Sequence, residues 1–145
     1  MNVRRPRSAR GVTLIELMVV VAAVAILATL AYPAYEEQMR KSRRTDAAGA
    51  LTSLANAMER FQIANGTYVG AGTSGGDRST GAPSIFPTQA PLDGERKYYD
   101  LRILSASRTE YVLAAIPLSG GPQATDGELR LDSTGQRTRG GQAGW

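Results

Sequence analysis

The sequence predicts an α+β fold in which one long N-terminal helix, membrane-spanning in its first half and amphipathic in its second, packs on a small antiparallel sheet. Three observations carry this. Residues 12–35 form an apolar run of 24 residues. The following stretch places Leu51, Leu54, Met58 and Phe61 at i, i+3, i+7 and i+10, the spacing of one helical face. Three short β-rich segments close the chain. At 145 residues there is room for one domain plus an appended segment.

The apolar run, at about 1.5 Å per residue, spans roughly 36 Å as a helix, enough for a hydrocarbon core of about 30 Å. Arg4, Arg5, Arg7 and Arg10 precede it and favour a cytoplasmic N-terminus, while Arg40, Lys41, Arg43 and Arg44 follow it and blunt the asymmetry. Glu16 is the anomaly. A carboxylate five residues inside such a run is disfavoured by the bilayer and reads as functional. A secretory signal peptide would have a shorter core without an acid and a clean small-x-small site, which "ATLAYPAY" lacks. A plain signal anchor fits the length but leaves Glu16 without a purpose.

Beyond Pro33, which as an interior helix residue predicts a kink, good helix formers continue to a stop at Asn65-Gly66. Ala47, Ala50 and Ala55 lie beside the Leu51–Phe61 stripe, which is expected to pack on the sheet. Residues 66–91 are rich in Gly, Ser, Thr and Pro and read as a surface loop, including "GAGTSGGD", which lacks the Lys-Ser/Thr ending of a phosphate loop. Strands are expected at residues 98–104, 110–116 and 128–132. In the first of these Tyr99, Leu101 and Ile103 alternate with Tyr98, Asp100 and Arg102, one face buried and one wet. "SASRT" is short enough to join the first two as a hairpin.

The formal charge of +4 belongs to the first eleven residues, since the remainder carries 13 basic and 13 acidic side chains. That weakens a nucleic-acid reading of the basic pI. The cluster Arg40, Lys41, Arg43 and Arg44 remains a candidate anionic-partner patch, weighed against a solvated face or a subunit contact. With no cysteine and no histidine, the sequence excludes disulfides, thiolate nucleophiles, Cys/His zinc sites and Ser-His-Asp chemistry. No metal or cofactor is called for. Asp126, Glu128 and Asp132 are close enough in sequence to suggest Ca²⁺, but their spacing matches no EF-hand, and Asp-Gly and Asp-Ser turns account for them better.

"RGVTLIELMVVVAAVAIL" resembles the signal of type IV prepilins, with a basic leader ending in Gly and a Thr-Leu-Ile-Glu-Leu box opening a long apolar helix. The resemblance implies a leader, residues 1–11, removed by a prepilin peptidase between Gly11 and Val12, and N-methylation of Val12. It divides the rest into a transmembrane and assembly helix, residues 12–35, and a pilin head, residues 36–145. It also implies a role for Glu16. Val12 and Glu16 stand at i and i+4, so cleavage creates an amine about 6 Å along the axis from the carboxylate, and the Glu16 of one subunit would neutralise the Val12 amine of another. Val12 stands where the family usually has Phe, and Ala25 where many members have Gly. "NGTY", "YYDL", "LDSTGQR" and Trp145 are similar to PilE-type minor pilins, but the cysteines that commonly close the last loop are missing. Closure is then expected from hydrogen bonds, Trp145 packing or an ion.

The implied function is structural: a minor subunit of a type IV pilus, held in the bacterial inner membrane before assembly and then exposed on the cell surface, serving motility, adhesion or DNA uptake. Its implied partners are other pilin subunits in a homo- or hetero-polymer, the prepilin peptidase and the inner-membrane assembly platform. A pseudopilin of a type II secretion system shares the same signal. A DNA-binding competence pilin using Arg40 to Arg44 with Arg137 and Arg139 is a third reading, ranked lower because the mature charge is neutral. A membrane-anchored enzyme ranks last, for no constellation of catalytic groups stands out.

Overall fold

The computed structural model describes residues 11–145, so the arginines of the leader lie outside the described residues. Helix α1 runs Leu14–Asn65 and is followed by β1 (Gly72–Ser74), β2 (Thr80–Pro83), β3 (Gln89–Ala90), β4 (Tyr99–Ala106), β5 (Tyr111–Pro117), β6 (Leu129–Asp132), β7 (Arg137–Arg139) and β8 (Gln142–Ala143). The chain forms two compact units, one ending at Gln38 and the other Met39–Trp145.

In the first unit, α1 starts two residues later than the apolar run. Thr13 is the reason. Its Oγ1 accepts from the Glu16 amide at 3.3 Å, and the Leu17 amide bonds its carbonyl at 3.2 Å, so Thr13 is the N-cap and Val12 precedes the helix. Val12 thus lies two residues before the first helical residue. Glu16 sits in the first turn, where the helix dipole favours a carboxylate, a local role that the sequence pattern "TLIE" encodes as a capping box. The apolar window of this unit has mean hydropathy 2.7, and none of it is buried. The helix continues through Pro33, whose missing N–H leaves the Thr29 carbonyl without its helical donor.

In the second unit the helix buries Ala47, Ala50, Leu51, Leu54, Ala57 and Met58. Against them lie Tyr99, Leu101 and Ile103 of β4, Tyr111, Leu113 and Ala115 of β5, and Leu129 and Leu131 of β6. Phe61 and Ala55 flank this core half-buried. The alanines matter because their small side chains let the helix backbone approach the sheet. The helix stops at Gly66, whose φ of 74° suits the left-handed position after a helix, with its amide bonded to the Gln62 carbonyl at 2.7 Å.

All neighbouring strands pair antiparallel in the order β1-β2-β4-β5-β6-β7-β8, with β3 pairing β4 beside this path. Strands β4, β5 and β6 fall within one or two residues of expectation, and β4 shows the expected alternation. The loop reading of residues 66–91 needs correction, since it contains three strands and buries Tyr68, Ala71 and Ala90. Tyr68 packs edge-on against Tyr111 at 4.8 Å, and both hydroxyls donate to the Glu59 carboxylate at 3.0 and 3.1 Å. Burial first, then Glu59, pushes both phenols above their ordinary pKa.

The β1–β2 pair exists because Gly72 has no side chain. A Cβ there would sit 2.2 Å from the Thr80 carbonyl oxygen and 2.9 Å from that of Arg78. Gly72→Ala should therefore force the ribbon apart and cost about 1–3 kcal/mol, read as a lower Tm of the detergent-solubilised chain. An unchanged Tm would show that this pairing adds nothing to the fold.

Candidate nucleic-acid interface

The four cations of the expected basic patch occupy different environments. Arg44 forms an ion pair with Asp126, its Nε donating to Oδ2 at 2.8 Å and its Nη2 to Oδ1. The side chains are 18% and 5% exposed. Asp126 also accepts from the Tyr99 hydroxyl at 2.8 Å, while Gln123 Nε2 donates to Tyr99 Oη at 2.9 Å and to the Arg40 carbonyl at 3.2 Å. Helix, β4 and the β5–β6 connection are thus tied at one buried point. Arg43 lies over the Tyr98 ring at 4.5 Å. Arg43 and Arg44 are committed to the fold, so the patch does not stand as four equivalent charges. Lys41 is exposed.

Burial pushes the Asp126 carboxyl up, but the Arg44 guanidinium and the Tyr99 hydroxyl outweigh it and hold the pKa below the usual carboxylate value. Burial conversely pushes Tyr99 up to about 12.

The last strands are closed without a disulfide. After β6, Asp132 Oδ1 accepts from the amides of Thr134 at 2.9 Å and Gln136 at 3.0 Å and from the Thr134 hydroxyl at 2.6 Å. These bonds hold its carboxyl below the ordinary pKa, the Thr134 hydroxyl most of all. The turn feeds β7, in which Arg137 pairs with Leu131 and Arg139 with Leu129. Trp145 Nε1 donates to the Arg130 carbonyl at 3.0 Å, and the Arg137 guanidinium covers the Trp145 ring at 4.8 Å.

This hairpin completes a site. Lys41, Arg44, Thr45 and Ala48 of α1 and Arg137 and Trp145 of the hairpin line one cavity of about 330 Å³. A second cleft of about 400 Å³ places Arg139 opposite Asp126. The structure therefore brings Lys41 and Arg44, from the expected cluster, to one cavity with Arg137, more than ninety residues later in sequence, and with Trp145. The convergence depends on the β6–β7 register and leaves no local sequence signal. The three carboxylates considered for Ca²⁺ are separately engaged, Asp126 with Arg44, Glu128 with Arg130 and Asp132 with its own turn. Among the described residues, no three acidic side chains converge to hold a metal ion.

An apolar helix entering an antiparallel-sheet head, behind a prokaryotic N-terminal methylation motif matched over residues 6–32, defines a type IV pilin. Within that class the chain belongs to the family described as "Type IV minor pilin ComP, DNA uptake sequence receptor", which it matches over residues 33–129. A solved structure of the Neisseria meningitidis non-core minor pilin PilV is similar, at 20% identity and a TM-score of 0.44, covering 73% of this chain and 93% of that one. No curated protein matches the chain. As a type IV pilin, the chain is membrane-anchored through its N-terminal helix and is a substrate for prepilin processing and assembly with other pilins.

The depressed Asp126 pKa gives a pH dependence. Its stabilising contribution is complete above the unfolded carboxylate pKa of about 3.9 and is lost as pH falls through the lower folded value. Asp126→Asn should lower stability at pH 7 by about 1.5–3 kcal/mol and flatten the fall in Tm below about pH 4. A variant with the wild-type acid profile would remove Asp126 from this role.

Proposed function

We propose that this chain is a minor pilin that receives DNA at the filament, its head binding DNA during uptake. The cavity in which Lys41 and Arg137 stand with Trp145, Arg44 serving as wall, carries the reading, because basic groups beside an aromatic ring are what a nucleic-acid backbone and its bases require. The family described as a DNA uptake sequence receptor supports it and brings the DNA-binding alternative to the front. A neutral net charge is no obstacle when the cations are gathered at one place.

The route to the filament follows from the N-terminal motif. The prepilin peptidase cleaves between Gly11 and Val12, Val12 is N-methylated, and residues 12–35 hold the subunit in the inner membrane with the head on the far side. The assembly platform then draws the subunit into a polymer with other pilins, where Glu16 meets the Val12 amine of a neighbour. The subunit's work is structural and binding, with no catalytic role. Pro33 is the point at which the assembly helix yields, because an i to i−4 bond is missing there.

Glu16→Gln separates the docking charge from the helix cap, since Gln serves equally at that capping position. The variant should insert in membranes and be cleaved yet be absent from sheared filaments by immunoblot, as Glu16→Ala should be. Incorporation of Glu16→Gln at wild-type levels would overturn the docking role. For the head, Lys41→Ala combined with Arg137→Ala should leave pili assembled while reducing uptake of labelled DNA by about tenfold or more, with a shallower salt dependence of DNA binding. Unchanged uptake would direct attention to the second cleft at Arg139 or away from DNA altogether.

A further inference from the structure

Resting on the reading of residues 12–35 as the membrane anchor, we propose that in the unassembled subunit Glu16 lies in the phospholipid headgroup layer of the cytoplasmic leaflet, among headgroup ammonium groups, and that residues 17–35 alone cross the hydrocarbon. The carboxylate is then a depth stop before it is a docking charge.

Two independent observations carry this. The first is a length. Glu16 and Glu36 are 20 residues apart on α1, and every residue between them is uncharged. At about 1.5 Å per residue the two carboxylates stand about 30 Å apart along the helix, the thickness of the hydrocarbon core. Both reach water at once. Sliding the helix either way buries one carboxylate or the other, so the depth is set from both ends. Tyr32 and Tyr35, both exposed, lie within one turn of Glu36, at the level where tyrosines settle in a membrane interface. The hydroxyl of Thr29, deep in the stretch, is turned back onto the Ile26 carbonyl at 2.7 Å.

The second observation is the helix start. The Glu16 amide is held by Thr13 Oγ1 at 3.3 Å and the Leu17 amide by the Thr13 carbonyl at 3.2 Å, but the amides of Leu14 and Ile15 come too early for a helical acceptor. Hydrocarbon does not tolerate a backbone N–H that neither protein nor water satisfies. The start of α1 at Leu14 therefore belongs in the polar layer, and Glu16, about 3 Å further along the axis, belongs with it. Of the charges in that layer, phosphates repel a carboxylate and the ammonium groups of zwitterionic headgroups attract it. Desolvation of Glu16 is thereby deferred to assembly, when the subunit leaves the lipid and the amine of a neighbour takes over.

The chain has no cysteine, so single nitroxide labels can be placed at chosen positions. Ile15→Cys, Val24→Cys and Gln38→Cys, each labelled in the full chain and reconstituted in vesicles of phosphatidylethanolamine with phosphatidylglycerol, are compared by collision with a water-soluble nickel chelate. Chelate access about tenfold higher at Ile15→Cys and Gln38→Cys than at Val24→Cys is the expected result. Adding Glu16→Leu to the Ile15→Cys chain should shield its label, because the helix is then free to sink. Solid-state NMR of the unlabelled chain should show magnetisation transfer between the Glu16 carboxyl carbon and the headgroup ammonium protons. An Ile15→Cys label as shielded as that of Val24→Cys would overturn the headgroup position and leave the anchor standing. A label unmoved by Glu16→Leu would overturn the depth stop, and absent transfer would overturn the ammonium pairing. Chelate access at all three positions would overturn the anchor reading as well.

Discussion

A single helix in this chain has to satisfy two surroundings, and the rest of the structure follows from that constraint. Up to Gln38 its apolar side chains are exposed around the whole circumference, a surface that only lipid or other apolar helices can cover. From Ala47 to Met58 only one stripe is buried, and that stripe is half alanine. Between them, "EEQMRKSRR" is polar enough for water. Every large strand in the head, β4, β5 and β6, contributes its buried face to this one stripe.

What holds the β5–β6 connection to the helix is an ion pair rather than an apolar contact. Arg44 and Asp126 are 82 residues apart, and their pairing closes a long loop in the chain, as a covalent bridge would. A buried ion pair is a weak source of net stability, because desolvation opposes the attraction. Its stabilising part here comes from being fully bonded: Asp126 accepts from both Arg44 and Tyr99, and Gln123 completes the group. The value of such a set is positional. It fixes residues 123–126 against the helix and thereby sets where β6, β7 and the Trp145 segment run.

The parts legible in the sequence are those with strong periodicity. The transmembrane run, the Leu51–Met58 stripe, the Asn65-Gly66 stop and the β4–β5 hairpin all came from local pattern. Residues 66–91 did not, because strands of two to four residues made of Gly, Thr, Ala and Pro have no alternation to read. Their pairing rests on backbone approach at Gly72, a property of the partner strand and not of the segment itself. Thr13 was legible as part of the "TLIE" box, and its capping role sets the helix start at Leu14. The cluster Arg40 to Arg44 was visible as charge, but not its division into two fold-committed arginines, a half-buried Arg40 and one exposed lysine. That division is set by Tyr98 and Asp126, which lie distant in sequence.

The same division decides where the head, with 13 basic and 12 acidic side chains over residues 36–145, presents its positive charge. Arg44 lines the cavity without lending it charge, since its guanidinium is neutralised at Asp126, and its stem serves as wall. The positive charge at the recess then comes from Lys41 on the helix and Arg137 on β7, two groups held on separate elements. Removing Arg44 alone would leave Asp126 an uncompensated negative charge beside the recess, so only the joint loss of Arg44 and Asp126 separates geometry from charge.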